Sequence, residues 1–146
     1  MRLSGCELNN KKYGGLRGSQ VKELGGTLDH LAAPAQCFFW CEDIKVMDQL
    51  RLLNKDVRLM ARRYDFQTLK DAIERYSPQV IEFNGLKFKH EELVHCKELD
   101  ILYMPFYMGS KLSVLKKLID SGADMLNLGN PELIEKICTS TNHYLE

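Results

Sequence analysis

Short apolar runs alternate with longer amphipathic stretches along most of this chain, and that rhythm narrows the folds open to it more than composition does. Gln36-Cys37-Phe38-Phe39-Trp40-Cys41 is short and aromatic, as a strand is. Asp43 then offers an N-cap, with Ile44, Met47, Leu50 and Leu53 following at helical spacing. Val57 to Arg62 is the next strand-like run, and Asp65 is placed to cap a helix carrying Leu69, Ala72, Ile73 and Tyr76 on one face. Ser77-Pro78 ends it, because a residue before proline is pushed out of the helical region.

The pattern continues. Val80-Ile81-Glu82-Phe83 reads as a strand stopped at Asn84-Gly85, and Leu93, Val94 and Cys96 mark a helix within Lys89 to Leu99. Ile101 to Phe106 is a further strand. Ser110 opens a helix with Leu112, Leu115, Leu118 and Ile119, closed by Gly122. Met125 to Leu128 is the last strand, and Pro131 stands at a first helical position before Leu133, Ile134 and Ile137. Upstream of Gln36 the signal is weaker. Cys6 to Asn9 suits the end of a strand, and Ser19 to Leu31 suits a helix interrupted by Gly25 and Gly26.

Strands separated by helices imply a parallel sheet with right-handed crossovers. The chain thus reads as α/β with about six βα units, either an open sheet or part of a barrel. At 146 residues it is too short for a closed eight-unit barrel, which takes about 250. One domain over residues 1–138 and a polar tail over residues 139–146 is the expected organisation.

Charge and composition exclude several function classes. Lys+Arg and Asp+Glu both number 20, so the basic footprint of a nucleic-acid binder is not expected. No apolar run approaches the roughly 20 residues of a membrane span, and the N-terminus lacks the apolar core of a secretory signal. The five cysteines are scattered and odd in number, which argues against a disulfide framework or a zinc site and points to a reducing, cytoplasmic setting.

In either architecture chemistry sits at the carboxyl ends of strands. That rule selects Glu7, Glu42, Arg62, Glu82, Tyr107, Asn127 and Asn130. Glu82 stands out, because a carboxylate in a buried strand needs a partner or a metal. A structural ion pair with Arg62 or a solvated place at the sheet's mouth is its bland alternative. The four histidines read as surface residues; His90 and His95 miss the i, i+4 spacing of a zinc pair. Gly109-Ser110-Lys111 at a helix start is a weak anion signal, and Gly25-Gly26 makes no dinucleotide fingerprint.

Several stretches resemble the C-terminal part of glycerophosphodiester phosphodiesterases. They are Phe39-Trp40-Cys41-Glu42-Asp43, Val57-Arg58-Leu59-Met60, Pro78-Gln79-Val80-Ile81-Glu82, Glu92-Leu93-Val94 and Ile101-Leu102-Tyr103. The most specific is Leu118 to Leu133, similar to the family's closing helix, Gly-Ala-Asp (here Gly122-Ala123-Asp124), apolar strand and proline turn. The resemblance implies a TIM barrel, with this chain holding the last six units and lacking the first two. It also implies a phosphoric diester hydrolase that releases an alcohol and glycerol 3-phosphate with the help of a divalent metal (Mg or Ca).

The family's His-Arg-Gly and Glu-x-Asp motifs are not found here. The resemblance places Glu7 at a metal carboxylate, with Asn9 where a lysine would stand, and makes Glu82 and Arg62 candidates for holding substrate. Met104-Pro105-Phe106-Tyr107 replaces a Trp-Thr-Val-Asn-like stretch, and Gly129 an acidic residue. The expectation is a metal-dependent enzyme family whose small-molecule glycerophosphodiester this chain alone does not turn over. It would be a portion of a longer product or a unit that self-associates through open sheet edges. The alternative is a non-catalytic barrel remnant that binds a partner or a phosphorylated ligand.

Overall fold

A computed structural model of the chain describes residues 4–7, 37–134 and 137. These carry six strands: β1 (Ser4–Glu7), β2 (Cys37–Trp40), β3 (Met60–Arg62), β4 (Val80–Asn84), β5 (Leu102–Tyr107) and β6 (Asn127–Leu128). Four helices alternate with them: α1 (Ile44–Leu53), α2 (Leu69–Tyr76), α3 (His90–Glu98) and α4 (Leu112–Asp120). Further helical residues follow at 132–134. The order is that of successive βα units, and the alternation with parallel pairing is that of a partial β/α barrel. The readings at Ser19 to Leu31 and at residues 139–146 fall outside the described residues, as do His30 and His143.

The described residues group into two compact units. The first runs up to Ala61 and adds Phe66–Val80. Here β1 and β2 pair in parallel, from Ser4 opposite Cys37 to Glu7 opposite Trp40. Phe39 makes a parallel bridge to Leu59. Residues 57–59 precede the strand proper, and Gln79 stands in for a strand neighbour there: its Oε1 accepts from the Leu59 amide at 2.9 Å. Val46, Met47 and Leu50 of α1 and Leu69, Ala72 and Tyr76 of α2 are buried. The stripes read from the sequence are thus packed at Met47, Leu50, Leu69, Ala72 and Tyr76, while Ile44 and Leu53 are exposed and Val46 is buried in their stead.

Asp43 caps α1, its side chain accepting from the Lys45 amide at 2.9 Å. The cap of α2 is Thr68 rather than Asp65. Thr68 and Asp71 form a reciprocal capping box, which offers two orphan amides an acceptor. Asp65 lies in a single 3-10 turn, Arg63–Asp65, and binds Arg62 instead. Ser77 ends α2 in the left-handed region at φ 42°, just before Pro78.

The second unit comprises Arg62–Asp65 and everything from Ile81 on. The strands of its sheet follow chain order through β4, β5 and β6, and β5 pairs with β6 in parallel, Phe106 opposite Asn127 and Tyr107 opposite Leu128. Ile81 to Phe83 of β4 are buried without interruption, as in a strand covered on both faces. Phe83 stacks on Tyr103 with centroids 4.2 Å apart, and Phe88 meets the same ring edge-on at 5.7 Å. Leu93 and Cys96 of α3 and Leu115 and Leu118 of α4 complete this core. Helix α4 starts at Leu112, two residues later than the sequence suggested, and Gly122 follows its end at φ +72°, where only glycine is unstrained.

At the carboxyl ends of these strands the backbone is stitched together. The Gly85 amide donates to Phe106 O at 2.9 Å and the Gly129 amide to Tyr107 O at 3.1 Å. A Cβ on Gly85 would sit 2.9 Å from that same carbonyl oxygen, so the close approach of β4 and β5 requires glycine. Among the described residues no helix is long and apolar enough to cross a membrane.

Candidate functional site

Strand alternation puts Glu82 on the face opposite to Phe83, so its carboxylate cannot share the aromatic layer under the helices. It is 3% exposed, the charged side chain that is buried among the described residues. Burial of a carboxylate is tolerated when donors replace the lost water. Two neutral donors do so here. The Tyr64 hydroxyl donates to Oε1 at 2.7 Å, and the Asn127 Nδ2 donates to Oε2 at 2.7 Å. Tyr64 comes from the 3-10 turn after β3 and Asn127 from β6, two strands away from β4 in the sheet.

Arg62 holds this arrangement from behind. Its Nε and NH2 grip Asp65 at 2.8 and 3.2 Å, a two-point pairing that closes the turn on which Tyr64 is carried. The guanidinium also lies 5.2 Å from the centroid of the Tyr64 ring. The next arginine, Arg63, donates to Glu92 of α3 at 2.7 Å and fixes the other side of the turn. Burial and the bond to Glu82 hold the Tyr64 hydroxyl well above the usual phenol range. It keeps its proton, and with it the bond to Glu82, at any physiological pH.

Each strand-end residue singled out from the sequence has a definite place. Glu82, Arg62 and Asn127 come together in the second unit. Glu7 is the last residue of β1 in the first unit, opposite Trp40 in register, and its side chain lies outside the described residues. Glu42 is exposed after β2. The Tyr107 hydroxyl accepts from the Lys111 amide at 3.3 Å. Asn130 reaches Met108 O at 3.4 Å and Gly109 O at 3.5 Å, tying two loops. Tyr64 was not among the candidates. It stands two residues beyond the end of β3, and a search extended into the loop after each strand would have found it.

Chemically, the cluster is a buried carboxylate satisfied by two neutral donors, one on each oxygen. The divalent ion implied by the resemblance calls for six or more oxygen ligands. Among the described residues no three His, Cys, Asp or Glu side chains gather as a metal would need. Glu82 moreover is engaged by Tyr64 and Asn127. The described residues do not fit such an ion. The Gly109-Ser110-Lys111 turn gives α4 no side-chain cap, and Lys111 itself is the N-cap.

No family model and no curated protein matches the sequence. Solved structures do. The glycerophosphodiester phosphodiesterase of Agrobacterium tumefaciens superposes with a TM-score of 0.72 at 15% identity, over 82% of this chain and 52% of that one. A Galdieria sulphuraria protein assigned provisionally to the same group gives 0.73 at 12% identity, over 92% and 56%. The Parabacteroides distasonis glycerophosphodiester phosphodiesterase gives 0.60 at 9% identity, over 94% and 57%. The chain therefore spans about half the length of the structures it matches. Its fold is that of part of a glycerophosphodiester phosphodiesterase barrel.

Proposed function

We propose that this chain is the substrate-holding part of a phosphoric diester hydrolase that cleaves glycerophosphodiesters to an alcohol and glycerol 3-phosphate. What supports this reading is the Glu82 carboxylate. It is buried in the middle of β4 and held by Tyr64, from the turn after β3, and by Asn127 of β6; β/α barrels keep their sites toward the carboxyl ends of strands. A glycerol moiety offers adjacent hydroxyl donors, which suit the remaining lone pairs of Glu82. Arg62 supplies positive charge on the Tyr64 side, suited to a phosphate oxygen. In this reading Glu82 and Asn127 touch the ligand, and Arg62 also acts as a positioning residue through Asp65. Cleavage would need an acid and a base, and any metal would need ligands such as Glu7, from outside this cluster.

The test is calorimetric titration of the chain with glycerol 3-phosphate, alongside an assay of glycerophosphocholine hydrolysis with Mg or Ca present. Saturable binding that Glu82→Gln weakens about tenfold, without turnover, is the expected result. Absence of binding, or binding that the substitution leaves unchanged, refutes the assignment. The absence of a gathered ligand set among the described residues favours one second reading, a barrel remnant that binds a phosphorylated ligand and does no chemistry. It parts from the first if turnover stays absent after the chain is supplied with the family's histidine-bearing and Glu-x-Asp segments.

A further inference from the structure

Two loops at the carboxyl edge of the second unit expose large apolar side chains beside lysines. The loop after β4 carries Leu86, 63% exposed, between Gly85 and Lys87. The loop after β5 carries Met108, 60% exposed, and leads to Leu112, 51% exposed, at the first position of α4. Single exposed apolar residues are ordinary. The Gly85 amide bonds to Phe106 O at 2.9 Å, so the loops that carry these three start from neighbouring points of the sheet. Asn130 further pins the Met108 and Gly109 carbonyls.

Their charge is one-sided. Lys87, Lys89 and Lys111 are exposed on these loops. No Asp or Glu occurs from Phe83 to His90, nor from Ile101 to Ile119, in a chain whose acidic and basic residues are equal at 20 each. An isologous contact with a second copy would bring these lysines against each other. Leu, Met and Leu are flexible side chains without an aromatic anchor, unlike the Trp, Tyr and Arg that dominate protein interfaces. They suit a fluid boundary that takes whatever shape they present.

We propose that this rim docks the chain onto an anionic lipid surface, with Leu86, Met108 and Leu112 entering the acyl boundary and Lys87, Lys89 and Lys111 meeting the headgroups. The lysine stems can lie along the apolar layer while their ammonium groups stay in water. The proposal stands apart from the phosphodiester reading, since its readout is partition and involves neither glycerol 3-phosphate nor turnover.

The experiment is vesicle co-sedimentation of the whole chain with phosphatidylcholine alone and with phosphatidylcholine containing phosphatidylglycerol. Binding to the anionic vesicles should be about tenfold tighter or more, and should fall as salt is raised. Leu86→Ser, Met108→Ser and Leu112→Ser together should weaken it about tenfold, and Lys87→Gln or Lys111→Gln about fivefold each. The sites are exposed, so an unchanged circular dichroism melt is expected for every variant. Leu52→Ser, at an 83% exposed position in the first unit, is the control that should bind as the parent does. Equal partition to both vesicle types, or insensitivity to the serine substitutions, overturns the proposal. So would capture by polyglutamate that survives those substitutions, which assigns the surface to an acidic protein, or a dimer in sedimentation velocity that the serine substitutions dissociate, which assigns it to a second copy.

Discussion

Asn127 Nδ2 lies 2.7 Å from Glu82 Oε2 and joins β6 to β4 across the strand between them. With the Tyr64 hydroxyl on the other carboxylate oxygen, it makes a buried charge compatible with folding. The two donors have no equivalent role without Glu82, so the three side chains stand or fall together.

Glu82→Ala should destabilise the second unit by about 2–3 kcal/mol, because it strands two donors and leaves a void. Glu82→Gln should cost about 1 kcal/mol, since an amide still accepts one of the two bonds. Urea denaturation followed by tryptophan and tyrosine fluorescence measures both. Equal losses for the two variants would show that the hydrogen bonds are not what stabilises this position.

Alkaline pH should unfold the protein by way of its phenols and a thiol. Burial pushes Tyr76 up to about 12 and Cys96 up to about 12, and lifts Tyr64 and Tyr103 as well. A group whose folded pKa is raised keeps its proton while the unfolded chain gives it up, so the folded state binds more protons and stability falls as pH rises. The loss should begin near the unfolded values, at about pH 9 for the thiol and pH 10 for the phenols, and run to pH 12 and beyond. Tyr76→Phe should flatten the decline in urea midpoint between about pH 10 and 12.

The same burial should silence Cys96 toward alkylation. A thiolate is the reactive form, and Cys96 is fully buried with its pKa up at about 12. Mass spectrometry after iodoacetamide treatment at pH 8 should find Cys96 unmodified in the native protein and modified in urea. Rapid native labelling of Cys96 would contradict its packing against the core of the second unit.

Arg51 gathers backbone carbonyls in the first unit. Its NH1 donates to Lys55 O at 2.5 Å and Val57 O at 3.0 Å, and its NH2 to Tyr76 O at 2.7 Å. Arg51→Ala should cost about 2–3 kcal/mol in urea denaturation, and Arg51→Lys should recover less than half, because an ammonium cannot fork as a guanidinium does.

Thr68→Ala should cost about 1 kcal/mol by removing one arm of the capping box on α2. Asp65→Ala should leave that helix intact and instead loosen the Arg62 turn. The two variants, compared by amide exchange in α2, separate the cap from the turn.

The amino-acid order by itself determined the series of strands and helices, which suits an open sheet or part of a barrel, and the family resemblance pointed to the barrel. Strands β2, β4 and β5 are short, mainly apolar runs, and the helices between them carry apolar residues at helical spacing, so local chemistry and packing demand agree at Phe38, Leu50, Phe83 and Leu115. It also singled out Glu82, because a carboxylate between apolar neighbours is costly and therefore informative. Only the tertiary structure decided what satisfies that carboxylate. Tyr64 and Asn127 stand 18 and 45 residues away along the chain. The strand-end rule marked Asn127 and stopped short of Tyr64, but it could not pair either with Glu82, since a hydrogen bond between distant strands leaves no periodic trace. Likewise Asp65 looked like a helix cap by its spacing, and became the partner of Arg62 because a two-point guanidinium pair outcompetes a single amide for the same carboxylate.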